Sequence, residues 1–149
     1  MKRWVYLILI VMMASGSIQA QQEMNWPVYV DHFGNDFIGK QVMIKVNNDL
    51  AKHKNYTKLD TSYNGDLGYF RIMITSVATT TVGDWSAMSV VYTLELPDSP
   101  FGIYLNSAVY FRNKDTTDEL TGKIIPSMDI AIQNYSVWRK AKDRTLRVD

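Results

Sequence analysis

Apolar residues recur along this chain at two different spacings, and the changes between them predict its elements. Tyr69 to Thr75, Met88 to Leu96 and Ile103 to Arg112 are rich in β-branched and aromatic residues with a period near two, which predicts three consecutive strands. From Asp36 to about Lys54 the step becomes four: Ile38, Val42, Val46 and Leu50, with Phe37 and Met43 widening the stripe. Lys40, Lys45, Asn47, Asn48 and Lys52 take the opposite side, which predicts an amphipathic helix. Asn35 or Asp36 can cap it, and Gly39 falls on its apolar flank, where it permits close approach to a sheet. From Asp115 to about Lys142 helical spacing returns through Leu120, Ile124, Met128, Ala131, Tyr135 and Trp138. Pro126 stands inside this stripe at a cost of about 3 kcal/mol to a helix interior, so a break or a fresh start near Ile125 is expected.

The shorter segments are read the same way. Trp26 to Val30 is β-prone, and Pro27 assigns it to an edge strand or an extended lead-in. Asp31 to Asn35 reads as a turn, Tyr56 to Leu59 as a short strand, and Thr61 to Leu67 as a turn around Asn64-Gly65-Asp66. A sheet with one apolar face and two amphipathic helices points to an α+β two-layer sandwich. The sheet is expected to be mainly antiparallel, with three to five strands and both helices on one face.

Within the sheet a register can be argued. Setting Met88 opposite Phe111, Val90 opposite Val109, Leu94 opposite Leu105 and Leu96 opposite Ile103 keeps apolar residues on one side. Phe70, Ile72 and Ile74 then face Leu94, Tyr92 and Val90. The other side carries Tyr69, Glu95 and Tyr104 in one row, Arg71, Thr93 and Asn106 in the next, and Tyr110 and Arg112 beyond. Tyrosine, arginine and asparagine together suit a partner or ligand surface. The same rows also serve as cross-strand pairs on a solvated sheet face.

The first twenty residues are set apart from this pattern. Met1-Lys2-Arg3 is a short positive head, Trp4 to Met13 an unbroken apolar run, and Ala14 to Ala20 small and polar, the layout of a secretory signal peptide. The run is shorter than the roughly 20 residues of a comfortable membrane span. Cleavage after Ala20 would leave a single α+β domain over 21–142, a frayed basic tail over 143–149, and no stable membrane anchor. The protein is thereby expected in the periplasm or outside a bacterial cell, with an envelope protein or cell-wall component as partner.

Composition narrows the chemistry. The 149-residue chain has formal net charge +1. Without Lys2 and Arg3 it has 14 basic against 15 acidic residues, a balance of −1, and so no general attraction to nucleic acid. There is no cysteine, which excludes disulfides, thiolate metal sites and a cysteine nucleophile. His32 and His53 are the only histidines and fall in no metal-ligand spacing. The glycines match no phosphate loop, and no serine sits in a nucleophile elbow; Ser76, Ser86 and Ser89 read as strand and loop hydroxyls. No cofactor or catalytic residue is assigned. The alternative to a binding module is a small hydrolase using the loop carboxylates Asp60, Asp66 or Asp84, although loop aspartates are more often turn formers.

The order Asp36-Phe37-Ile38-Gly39, a helix, Phe70-Arg71-Ile72-Met73-Ile74-Thr75, Ser89-Val90-Val91-Tyr92 and Ile103-Tyr104-Leu105-Asn106-Ser107 resembles small secreted bacterial proteins that are themselves uncharacterised. The resemblance covers most of the chain after residue 20. It implies export and an α+β fold, and carries no activity or site with it. A late cysteine-glycine pair associated with such proteins is absent here.

Overall fold

The computed structural model describes residues 25–61, 68–80 and 84–145, with side chains to residue 140. Its elements are β1 (Trp26–Phe33), α1 (Phe37–Leu50), β2 (Tyr56–Leu59), β3 (Tyr69–Ala78), β4 (Trp85–Glu95), β5 (Ile103–Asn113), a 3-10 turn (Lys114–Thr116) and α2 (Thr117–Thr145). The signal-peptide reading of residues 1–20, the Asn64-Gly65-Asp66 turn and the end of the basic tail lie outside the described residues.

The five strands form one mixed sheet in the order β2-β1-β3-β4-β5, with two helices packed on it, an α+β architecture. The long ladders β3·β4 and β4·β5 are antiparallel. β1 runs parallel to both its neighbours, β2 and β3. It is therefore an interior strand that continues to Phe33, not the edge strand or lead-in that Pro27 suggested. The position tolerates proline for a simple reason. The Trp26 amide turns toward the β2 side and bonds Asn55 O at 2.9 Å. The next nitrogen, in Pro27, turns toward β3, one residue before the β1·β3 ladder begins at Val28.

The inner face is a set of continuous rows. Val28, Phe70, Leu94 and Ile103 form one row; Val30, Ile72, Tyr92 and Asn106 the next; His32, Ile74, Val90 and Ala108 a third. On this face α1 lays Ile38, Val42, Val46 and Leu50, all buried as the four-residue step predicts. Phe37 does not widen that stripe: it is 66% exposed. α2 contributes Leu120, Ile124, Ile125, Met128 and Ile132.

Pro126 neither starts nor ends α2, which runs through it as one helix. The carbonyl that loses its donor belongs to Gly122, and both residues are on the exposed side, where water can satisfy it. Just inside, Tyr92 donates its hydroxyl to the Ile124 carbonyl at 3.1 Å, pinning this turn of α2 to the sheet. Burial, with the neighbouring Tyr110, raises the Tyr92 phenol pKa against a smaller lowering by Ser127.

The pairing of β3 with β4 follows the expected register, with Phe70, Ile72 and Ile74 opposite Leu94, Tyr92 and Val90. The pairing of β4 with β5 is displaced from expectation by one residue, and by two beyond a bulge. Tyr92 faces Asn106 and Thr93 faces Tyr104, leaving Leu105 as the extra residue. Every side chain of β5 after the bulge therefore changes face. Val109 and Phe111 lie outside, while Asn106, Ala108, Tyr110 and Arg112 lie toward the helices. At this margin the inner face is only half covered. Tyr110 packs against the core, and the Arg112 guanidinium lies 5.8 Å from its ring centre and 3.8 Å from Glu119 Oε1. Such side chains suit the place, having apolar bodies and polar tips.

Candidate functional site

The bare face of the sheet divides into a polar half and an apolar half. In the polar half Tyr29, Arg71, Thr93 and Tyr104 make one cross-strand row, with Tyr69 and Glu95 in the row before it. Arg71 Nη2 donates to Asp31 Oδ2 at 2.6 Å, and both side chains are about three-quarters buried. The Arg71 Nε is buried with no hydrogen-bond partner among the described residues. Thr93 donates to Glu95 Oε1 at 2.7 Å. Burial lowers the Arg71 pKa, but Asp31, Glu95 and Tyr69 outweigh it and hold the guanidinium charged. Burial and the Glu95 charge raise the Tyr69 phenol, with Arg71 opposing. The half is thus a pre-formed network of charge and phenol with Tyr104, 62% exposed, standing at its rim.

Of the residues expected on this face, Tyr69, Arg71, Glu95 and Tyr104 are brought together there. Asn106 and Tyr110 are not. The bulge at Leu105 turns both to the helix side, Asn106 opposite Tyr92 and Tyr110 opposite Met88. Sequence reasoning also missed the apolar half. Its rows are Phe33, Thr75, Ser89 and Val109, then Val77, Ala87 and Phe111, with Trp85 beside them. Phe33, Val77, Trp85, Val109 and Phe111 are all exposed. Alternation in β5 signals two faces but does not say which is covered.

A second feature is a polar clasp on the inner face, where α1 starts. His32 Nε2 lies 2.7 Å from Ser76 Oγ, and Ser76 donates to Asp36. A hydroxyl has one proton, so His32 must be the donor to Ser76. Asp36 caps α1 by accepting from Gly39 N at 3.1 Å. Burial would raise the Asp36 pKa, but bonds from Ser76, Ser86 and the Gly39 amide, with His32, hold it below the usual carboxylate range. This order differs from a nucleophilic triad, in which the histidine stands between serine and acid and takes the serine proton. Here the serine proton belongs to the carboxylate, and Ser76 is buried.

The clasp requires two glycines. A Cβ on Gly39 would lie 1.9 Å from Ser76 Oγ and 2.7 Å from His32 Nε2. Gly34, at φ +138°, would place one 2.2 Å from Ser76 O. The apolar-flank position of Gly39 and the capping position of Asp36 were the sequence signals for this site.

An open cleft of about 450 Å³ lies where β2 ends and β1 continues, lined in part by Asp31, His32, Lys40, Asn47, Lys58 and Asp60. Its acids are engaged: Asp31 with Arg71, and Asp60 with Lys58 at 2.6 Å. Lys58 holds the exposed Asp60 carboxyl below its ordinary pKa. Asp84 lies apart, in the β3–β4 hairpin, and Asp66 is outside the described residues. Among the described residues no group of three or more His, Asp or Glu could hold a metal ion, and no helix is long and apolar enough to cross a membrane.

No known protein family matches the chain, and no curated protein matches its sequence. Among solved structures it is similar to rare lipoprotein B from Shewanella oneidensis. The two are 13% identical, with 78% of this chain and 98% of that chain covered and a TM-score of 0.28.

Proposed function

We propose that this chain is an exported bacterial envelope protein that acts as a non-enzymatic accessory or binding module through its bare sheet face. Its first twenty residues would serve as the signal peptide, 21–142 as the single working domain, and 143–149 as a charged tail. One observation carries the binding role. A sheet covered by helices on one face leaves on the other a charged tyrosine-arginine network beside five exposed large apolar side chains. Contiguous exposed apolar surface next to Tyr and Arg is the composition of protein contact sites. The partner class is an envelope protein or cell-wall component met outside the cytoplasm.

The test is site-directed photocrosslinking in the native envelope. A crosslinker at Tyr104 should capture a discrete partner, and one at Lys123, on the exposed side of α2, should not. Substituting Trp85 and Phe111 by serine should abolish the capture at Tyr104 without changing circular dichroism. Equal capture at both positions, or capture that survives the double substitution, would refute the assignment.

Among the described residues the hydrolase reading finds a locus in the cleft beside Asp60. A general acid needs a raised carboxyl pKa, and Lys58 moves Asp60 the other way.

A further inference from the structure

The two edges of the sheet are built differently. β2 is four residues long, carries Lys58, and gives way to the Lys58–Asp60 ion pair, so it offers little to a foreign strand. β5 is eleven residues long and among the described residues pairs with β4 alone. It holds no proline or lysine, and its single charge is Arg112. Its one irregularity, the bulge at Leu105, lies near its start and leaves Asn106 to Asn113 as an uninterrupted run. Soluble proteins usually guard such an edge with charge, proline or a covering element. Beside it the register turns Val109 and Phe111 outward, 68% and 62% exposed.

We propose that β5 is a dimerisation edge, and that its occupant is β5 of a second copy added antiparallel across a two-fold axis near Val109. The outward backbone N–H and C=O groups of β5 have no strand partner among the described residues; Ser107 N is held by Asn106 Oδ1 at 2.8 Å and Phe111 O by Arg112 Nη1 at 2.9 Å, exposed side-chain bonds that an incoming strand would replace. Such a line recognises another strand rather than a helix or a small molecule. An antiparallel strand is its own complement about a two-fold axis, so no other molecule is needed. With the axis at Val109, that residue meets itself. Phe111 then meets Ser107, Tyr110 meets Ala108, and Arg112 meets Asn106. Each pair keeps both side chains on one face, and no like charges are opposed. Phe111 of each copy also lies diagonal to Val109 of the other, which covers the apolar positions that the β5 register leaves bare. The result is a continuous ten-stranded sheet whose bare faces join. The dimer follows from the edge and not from the charged half of the face, and it would cover Val109 and Phe111, two of the five exposed apolar side chains beside that half.

The experiment is light-scattering mass measurement on the exported protein, with three variants at two exposed positions that leave the fold intact. The wild type should be dimeric at about 100 µM, where a micromolar Kd would leave little monomer. Val109→Lys should be monomeric with unchanged circular dichroism, because it opposes two ammonium groups at the axis. The chain has no cysteine, so single cysteines report cleanly. Val109→Cys should oxidise to a covalent dimer, since directly opposite residues of antiparallel strands fall within disulfide range. Thr57→Cys, on the β2 edge, should not. A monomeric wild type, an unchanged mass in Val109→Lys, or crosslinking through Thr57 instead of Val109 would overturn the proposal. A dimer of the expected mass that binds nothing at Tyr104 would leave this proposal standing and remove the binding role.

Discussion

The two faces of this sheet are made from the same five strands and differ in almost every physical respect. The inner face is a set of apolar rows closed by two helices, with polar groups at the margin, in the His32-Ser76-Asp36 clasp and at the buried Tyr92 hydroxyl. Among the described residues the outer face has no covering layer, yet it carries Phe33, Val77, Trp85, Val109 and Phe111 exposed beside a partly buried Arg71–Asp31 pair. Residue type therefore does not separate the faces. Cover does: the same valine is worth several times more on the side where helices exclude water.

The largest effect should come from Phe70→Ala, which empties a site at the centre of the inner rows where Phe70 is 1% exposed. Urea unfolding should show a loss of about 3–5 kcal/mol. The next tests how closely the helical layer sits. Gly39→Ala would improve intrinsic helix propensity, but its Cβ meets Ser76 Oγ at 1.9 Å and Cβ at 2.5 Å. Thermal melting should therefore show destabilisation, of about 1–3 kcal/mol. A gain in Tm would show that α1 can lift from the sheet at no cost.

One substitution can be placed on both faces. Val90→Thr buries a hydroxyl at a fully covered position and should cost about 1–3 kcal/mol. Val77→Thr, 62% exposed, should stay within about 0.5 kcal/mol. Similar costs at the two sites would mean that the outer face is covered in solution.

Asp36→Ala should cost about 0.5–2 kcal/mol through loss of the cap, and should also change the acid limb of the stability curve. The native carboxyl is held below its ordinary value of 3.8, so its contribution is present above that value and lost as pH falls through the lowered native pKa. A pH titration of the unfolding midpoint should show that loss in the wild type and a flatter limb in the variant. A small effect is also expected of Tyr92→Phe. It removes the bond to the Ile124 carbonyl, which keeps its own helical donor, so about 1 kcal/mol should be lost in urea unfolding.

Local spacing in the chain determined the two helices, the three long strands, the buried stripe of α1 and the β3·β4 register, because each is dictated by side chains a few residues apart. It also located half of the candidate surface, in Tyr69, Arg71, Glu95 and Tyr104. Only the tertiary structure decided the rest. A parallel partner lies far away in sequence, so β1 could not be recognised as an interior strand from Trp26 to Val30. The bulge at Leu105 depends on how β5 fits beside β4 and α2, and a shift of one residue moves a whole strand's side chains to the other face. That shift took Asn106 and Tyr110 off the predicted surface and put Val109 and Phe111 on it. The continuity of α2 through Pro126 was settled by a solvent-facing carbonyl and a tyrosine from β4, and the clasp by residues as distant as His32 and Ser76. Alternation along β5 was fixed by its sequence, but which side faces water was fixed by the layer that packs against it.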